Sequence, residues 1–470
     1  MSLTANFKSE IKAILAAAAF AALCSCSPSG DSASGRNAAS PSGGSNPAPA
    51  RADTAAKTEI SFWHSMDGSL GKTLSALVDE YNASQGKYKV NAQFKGGYAE
   101  SMNAGVAAYR AGQAPDILQV FEVGTATMIH SGGAIKPVYE IAAETGVDLD
   151  AKDLIGAVAS YYSDKDGKLI SMPFNSSTPV MYYNKDAFKK AGLDPEIPPK
   201  TYGDLKTQTK ALAKATGCGY TTTWPAWLFL ETFSAWHNVR YATENNGFGG
   251  LKARIDLTDP VYKRLFSDLK NMSSDGSFVY GGRADNAYEL FVGGKCAMMT
   301  GSSASYADIS QNARFDWGVA PLPYYGDVPG APQNTIIGGA SLWVFSGKGK
   351  PVYEGAADFF KFLARPENAA KWSKETGYVP VTRSARDQIE ASGFYKDRPG
   401  ADVAIEQLDA DVTDASRGVR LGNLADIRNI EEGVMERMFA DKISVDEGLK
   451  EMQDKSNAVL ERFEKDHANE

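Results

Sequence analysis

The residues able to do chemistry are few and scattered. Four histidines stand at His64, His130, His237 and His467 without His-x-x-x-His spacing, and no Cys-x-x-Cys occurs, so a zinc site would need distant residues brought together. Gly71-Lys72-Thr73 has the end of a phosphate-cradling P-loop, but Met66 stands where that loop needs its first glycine. Ser69-Leu70-Gly71-Lys72 has the Ser-x-x-Lys spacing of some acylating hydrolases without the companion Lys-Thr-Gly. A Gly-x-Ser-x-Gly nucleophile elbow is also missing, since Thr300-Gly301-Ser302-Ser303-Ala304 lacks the closing glycine.

Binding chemistry is better represented. Asn175-Ser176-Ser177-Thr178, Gly301-Ser302-Ser303 and Gly338-Gly339-Ala340-Ser341 group hydroxyls with glycines, whose N–H groups a ligand can approach closely. Such groups coordinate a phosphate without a large basic patch. Each is equally good turn chemistry when taken alone. Trp224-Pro225-Ala226-Trp227 sets two indoles three residues apart, where they share a face if the segment enters a helix. Core packing and stacking on the C–H face of a polyol or sugar are both open for this pair.

These residues need elements to position them. Glu59–His64 reads as a strand, and Leu70, Leu74, Leu77, Val78 and Tyr81 then recur at helical spacing. Tyr88–Phe94 and Asp116–Phe121 read as further strands, which makes βαβ grammar and a sheet covered by helices on both faces. Ligands bind such sheets at the edge where strand C-termini collect, so the candidate turns are Trp63–Gly68, Phe121–Thr125, Phe174–Pro179, Thr300–Ser305 and Gly338–Ser341. The last third is more helical. Val352, Ala356, Phe359, Phe360 and Leu363 form one apolar face, Val445, Leu449, Met452, Val459 and Phe463 another, and Ser444 and Glu447 form a capping box.

With 470 residues, 43% of them hydrophobic, the chain is long enough for several full-sized cores. Its net charge of −8 comes with no basic stripe, which excludes a nucleic-acid partner. Residues 1–26 read as a signal, with Lys8 and Lys12 before the apolar run Ala13–Leu23. Leu23-Cys24-Ser25-Cys26 resembles a bacterial lipoprotein signal with Cys26 as the lipidated residue. Residues 27–57 are rich in Ser, Pro, Gly and Ala, the composition of a tether. Cys218 and Cys296 are the remaining cysteines, and a disulfide and two buried thiols are both open.

Longer phrases carry a resemblance over nearly all of 58–468: FWHSMDGSLGKTL, EVGTATM, PFNSSTPVMYYNKDAFKKAGLDPEIPPKT, APQNTIIGGASLWV and RPENAAKWSKETGYVPVT. The chain resembles the glycerol-phosphate receptors of bacterial ABC uptake systems, within the extracellular solute-binding family that also contains the maltose-binding proteins. The resemblance implies a two-lobed α/β fold, the type II periplasmic binding protein fold, with hinged lobes that close on a ligand in the cleft between them. Laid on this chain, it assigns 58–168 to the first lobe and 169–302 to the second. It then makes 303–344 a return to the first lobe and 345–470 a helical end of the second.

The resemblance also implies a ligand set. Tyr98 and Glu122 come from the first lobe, Glu122 accepting from glycerol hydroxyls, and Ser177 and Ser302 donate to the phosphate. Gly339 offers a backbone N–H, Tyr378 a phenol and Arg428 a bidentate guanidinium to the phosphate, while Trp224 and Trp227 pack on the glycerol carbons. The implied function is a periplasmic, monomeric, non-enzymatic receptor. It needs no cofactor or metal, binds sn-glycerol 3-phosphate or a glycerophosphodiester such as glycerophosphocholine, and docks on a membrane permease. The departure from a freely diffusing receptor is the tether with its lipid anchor, which implies retention at a membrane. An oligosaccharide receptor of the same fold and a secreted phosphodiesterase are the competing readings, the latter opposed by the missing nucleophile–base constellation.

Overall fold

Alternating strand and helix patterns build two separate sheets in the computed structural model, which describes residues 56–396, 398, 400–408 and 412–468. The larger sheet contains β1 (Thr58–His64), β2 (Tyr88–Phe94), β3 (Ile117–Phe121), β4 (Ile135–Lys136) and β5 (Met172–Ser177). The smaller sheet contains β6 (Pro179–Asn184), β7 (Cys218–Thr222), β8 (Cys296–Ser302) and β9 (Trp317–Ala320). Finally β10 (Gly338–Phe345) returns to the larger sheet, whose order is β2-β1-β3-β10-β4 with β5 also on β10.

Each half has its own core. In β1 the side chains alternate, with Ile60, Phe62 and His64 buried. They meet the helix Gly68–Ser84, which buries Leu74, Leu77, Val78 and Tyr81, and the Phe359 ring, whose centroid lies 6.0 Å from Phe62 and 5.0 Å from Tyr81. In the other half β6 and β7 are buried on both faces, as strands under helices must be. Tyr220, Leu265, Phe266, Phe278, Met435 and Met438 fill the space between them and the C-terminal helices. The last helix, Val445–Asp466, starts with the expected capping box: Glu447 N–H donates to Ser444 Oγ at 3.2 Å, and Ser444 N–H to Glu447 Oε2 at 2.9 Å.

The chain crosses between halves at places different from those expected. Thr178 alone separates β5 from β6, so the segment 172–177 belongs to the larger sheet and not to a second lobe beginning at 169. Likewise β9 pairs with β6 in the smaller sheet, so the return to the first half starts after Ala320 rather than at 303. Helices Lys350–Ala364 and Pro366–Thr376 pack against β1 and the helix Gly68–Ser84, so 345 does not open the second lobe. Composition changes little where a chain passes from one core to another, and only strand pairing locates the crossing.

Cys218 and Cys296 face each other in the parallel pair β7–β8 and are joined by a disulfide. Cys26, the expected signal at 1–26 and all of the expected tether except Ala56 and Lys57 lie outside the described residues. Lys57, placed in the tether by composition, is tied down, its Nζ donating to the carbonyls of Asn82 at 2.7 Å and Gln85 at 2.8 Å. Among the described residues no helix is long and apolar enough to cross a membrane.

Candidate functional site

Strand register brings the candidate residues to one place. Because β10 runs antiparallel to β3 and β5, its first residues lie beside the C-terminal ends of both: Ala340 opposite Phe121, Gly338 opposite Ser177. In the smaller sheet Ser302, the end of β8, lies opposite Pro179, the start of β6. Crossing at Thr178 therefore joins the two edges. Ser303 N–H donates to the Thr178 carbonyl at 2.9 Å, and the Thr178 hydroxyl pairs with that of Thr335 at 2.5 Å. The phrases Phe174–Pro179 and Gly338–Ser341 are thus mostly strand, not turn.

Glu122 follows β3 directly and is 7% exposed. Arg428, on the helix Leu424–Phe439, donates from Nη2 to Glu122 Oε1 at 2.8 Å. Its Nε and Nη2 also donate to Glu231 at 2.6 and 2.9 Å, a bidentate pair. Burial raises the Glu122 pKa and Arg428 pulls it back, while the charge of Glu231 pushes it further up, and the net direction is up. For Arg428 burial works against the cation, but Glu231 and Glu122 outweigh it and hold the guanidinium charged.

Glu122 and Arg428, expected at opposite ends of a ligand, thus stand in one ion-paired cluster. The bidentate edge expected to meet a phosphate lies on Glu231 instead, and Nη1 is the guanidinium nitrogen that makes no hydrogen bond among the described residues. Glu231, 2% exposed, was missed by pattern, although a carboxylate inside the apolar run Trp227-Leu228-Phe229-Leu230 to Phe233 is itself a signal.

Beside this cluster lies a rim of hydroxyls and amides. Tyr98 stacks flat on Phe121 with centroids 5.3 Å apart, and its hydroxyl is 3.4 Å from that of Tyr378. A hydrogen-bond chain fixes it: Ser65 N–H donates to Gln119, Gln119 to Asn175 and Asn175 to the Tyr98 hydroxyl at 2.8, 2.8 and 2.9 Å. Gln119 was likewise not anticipated. Burial raises both tyrosine pKa values, so the phenols remain donors. Ser177 is 3% exposed, and Ser302 caps the following turn by accepting from Ala304 N–H at 3.2 Å, which leaves its own proton to donate. Gly339 takes φ +93°, and an added Cβ would stand 1.9 Å from the Asn175 carbonyl oxygen, so only glycine fits.

The two tryptophans take different roles in the chain. Trp224 adopts φ 49° and its carbonyl accepts from Leu228 N–H at 3.0 Å, starting the helical segment. Trp227 opens a π-helical turn, Trp227–Thr232, and lays its six-membered ring over Gly338, where a Cβ would be 2.5 Å from Cζ2. Its Nε1 and the Oγ of Ser176 are buried without a hydrogen-bond partner. Among the described residues no cluster of His, Cys, Asp and Glu has the geometry to hold a metal ion.

A family model for bacterial extracellular solute-binding proteins matches residues 76–402. The sn-glycerol-3-phosphate-binding periplasmic protein UgpB of Escherichia coli O6:K15:H31 is 48% identical over 418 residues, spanning 88% of this chain and 95% of that protein. UgpB from Mycobacterium tuberculosis, solved in complex with glycerophosphocholine, superposes with a TM-score of 0.73 at 25% identity and covers 87% of this chain and 100% of its own. The cyclic alpha-maltosyl-1,6-maltose binding protein of Arthrobacter globiformis superposes at 0.69 with 24% identity, over 87% of this chain and 100% of its own, and shares the fold. This is the two-lobed periplasmic binding protein fold, each sheet with its helices forming one lobe. From the span of the family model and the identity to UgpB, the chain belongs to the bacterial extracellular solute-binding protein family.

Proposed function

We propose that this protein is the extracytoplasmic receptor of an ABC importer, capturing sn-glycerol 3-phosphate or a glycerophosphodiester such as glycerophosphocholine between its lobes and passing it unchanged to a membrane permease. The names of its relatives point to that ligand class and to the periplasm. The observation that carries the reading is a buried acid–arginine cluster, Glu122–Arg428–Glu231, set beside a rim of neutral donors.

The rim residues Ser177, Ser302, Gly339 and Tyr378, with Tyr98 supporting Tyr378, take the phosphate oxygens. Glu122 and the Nη1 of Arg428 take the glycerol hydroxyls, and Trp224 and Trp227 cover the carbons. Hydrogen bonds to a charged phosphate contribute about 1.5–3 kcal/mol each. Three or four of them with stacking reach roughly −8 kcal/mol, near micromolar, after association costs. Ligand contacts from both lobes favour the closed form, which is what couples capture to docking. The receptor acts as a monomer, and lipidation at Cys26 would hold it at the membrane.

Calorimetric titration with glycerol 3-phosphate, glycerophosphocholine and maltose tests this. Heat with either glycerol compound and none with maltose is expected. Binding of maltose alone, or release of choline from glycerophosphocholine on incubation, would overturn it.

A further inference from the structure

Glu231 is placed where a carboxylate is costly. It lies in a π-helical turn, a geometry frequent at functional sites, and both of its oxygens are spent on one partner. That partner already has a second carboxylate, Glu122, on the same Nη2. One guanidinium facing two carboxylates leaves a net charge of −1 when both are ionised. The cluster is therefore a poor anchor for an oxyanion. What it still offers a ligand is one donor, Arg428 Nη1, beside one acceptor, the second oxygen of Glu122, which takes no side-chain hydrogen bond among the described residues. A hydroxyl both donates and accepts and fits that pair. A phosphate only accepts, and would meet the carboxylate of Glu122.

We propose that Glu231 is the residue that sets specificity at this end of the site: by occupying the bidentate edge of Arg428 it turns the arginine from an oxyanion anchor into a partner for a polyol hydroxyl. The ligand must then present an unphosphorylated end here, and a second phosphate is refused by unpaired negative charge. Glu231 acts through Arg428 and is a positioning residue. This rests on the reading of the rim as the phosphate subsite.

Glu231→Gln keeps the shape, removes one charge and releases one nitrogen of the fork. Titrations of the wild-type and variant full-length proteins with glycerol 3-phosphate and glycerol 1,3-bisphosphate read the ratio of the two affinities. The wild-type protein should bind only the monophosphate. The variant should lose at least tenfold in monophosphate affinity and gain at least tenfold for the bisphosphate, with inorganic phosphate becoming a competitor. A merely structural role would lower both affinities by one factor and leave the ratio unchanged, which would overturn the proposal. If Glu231→Gln fails to fold, Glu231→Asp retains the charge with a shorter reach, so it should lose at least threefold in monophosphate affinity and still refuse the bisphosphate, and either wild-type monophosphate affinity or bisphosphate binding in that variant would overturn the idea. Absence of binding of both glycerol 3-phosphate and glycerophosphocholine to the wild-type protein would overturn the functional reading and this proposal together, whereas glycerol 3-phosphate binding with an unmoved ratio, or refusal of glycerol 3-phosphate alone, overturns the proposal by itself.

Discussion

Replacing the two glycines that open β10 separates backbone support from ligand contact. Gly339→Ala meets two obstacles. The residue sits at φ +93°, a region costing a non-glycine about 1–3 kcal/mol. The new methyl also lies 1.9 Å from the Asn175 carbonyl oxygen and 2.9 Å from its carbon, both backbone atoms of a strand. Asn175 cannot move without disturbing its bonds to Gln119 and Tyr98, so forcing β5 aside adds about 1–3 kcal/mol of overpacking. Taken together these predict a loss of about 2–6 kcal/mol in urea unfolding at neutral pH. At Gly338 φ is not positive, and the nearest atoms to an added Cβ belong to the Trp227 ring, at 2.5 Å for Cζ2 and 2.9 Å for Cη2. The indole, a side chain, gives way, so Gly338→Ala should lose at least tenfold in glycerol 3-phosphate affinity by calorimetry with a smaller change in stability. A Gly339→Ala protein within about 0.5 kcal/mol of wild type, the range of neutral surface changes, would refute the backbone argument. A Gly338→Ala protein with unaltered affinity would refute the placement of Trp227 against the ligand.

Acid sensitivity follows from His237, whose Nδ1 bonds the Phe233 carbonyl and whose Nε2 accepts from Tyr325 N–H at 3.0 Å. Burial pulls its pKa down to about 4, so the unfolded chain takes up a proton near pH 6.5 that the folded one refuses. Stability should be full above pH 6.5 and fall by about 2–3 kcal/mol between 6.5 and 4, at roughly 1.4 kcal/mol per pKa unit. His64, moved in the same direction, adds to the slope, and thermal melts of His237→Gln across that window should be flatter than wild type. The Cys218–Cys296 disulfide closes a sequence separation of 78. Changing both to alanine should lower unfolding stability by about 2–4 kcal/mol, and melts unaffected by the change would show that the link contributes nothing.

Much of the local structure was legible in the chain. Alternation in Thr58–His64, the helical repeat of Leu74, Leu77, Val78 and Tyr81, and the Ser444–Glu447 capping box each involve residues close in sequence, so neighbours alone decide them. The assignment of Tyr98, Glu122, Ser177, Ser302, Gly339, Tyr378 and Arg428 to one ligand set came only through resemblance, and of these the structure bonds Glu122 to Arg428 and brings the Tyr98 and Tyr378 hydroxyls together. The path of the chain was not legible. Thr178 as a crossing point, β9 in the smaller sheet and the Cys218–Cys296 link depend on which strands pair, and pairing energy is shared among segments far apart. The largest change concerns Arg428. Its residue type suggested an anion anchor, but its charge is answered by Glu231, 197 positions away, and Glu122, 306 away. A side chain's chemistry is written in the sequence; how much of it remains for a ligand depends on which groups the fold places against it, and only the tertiary structure decides that.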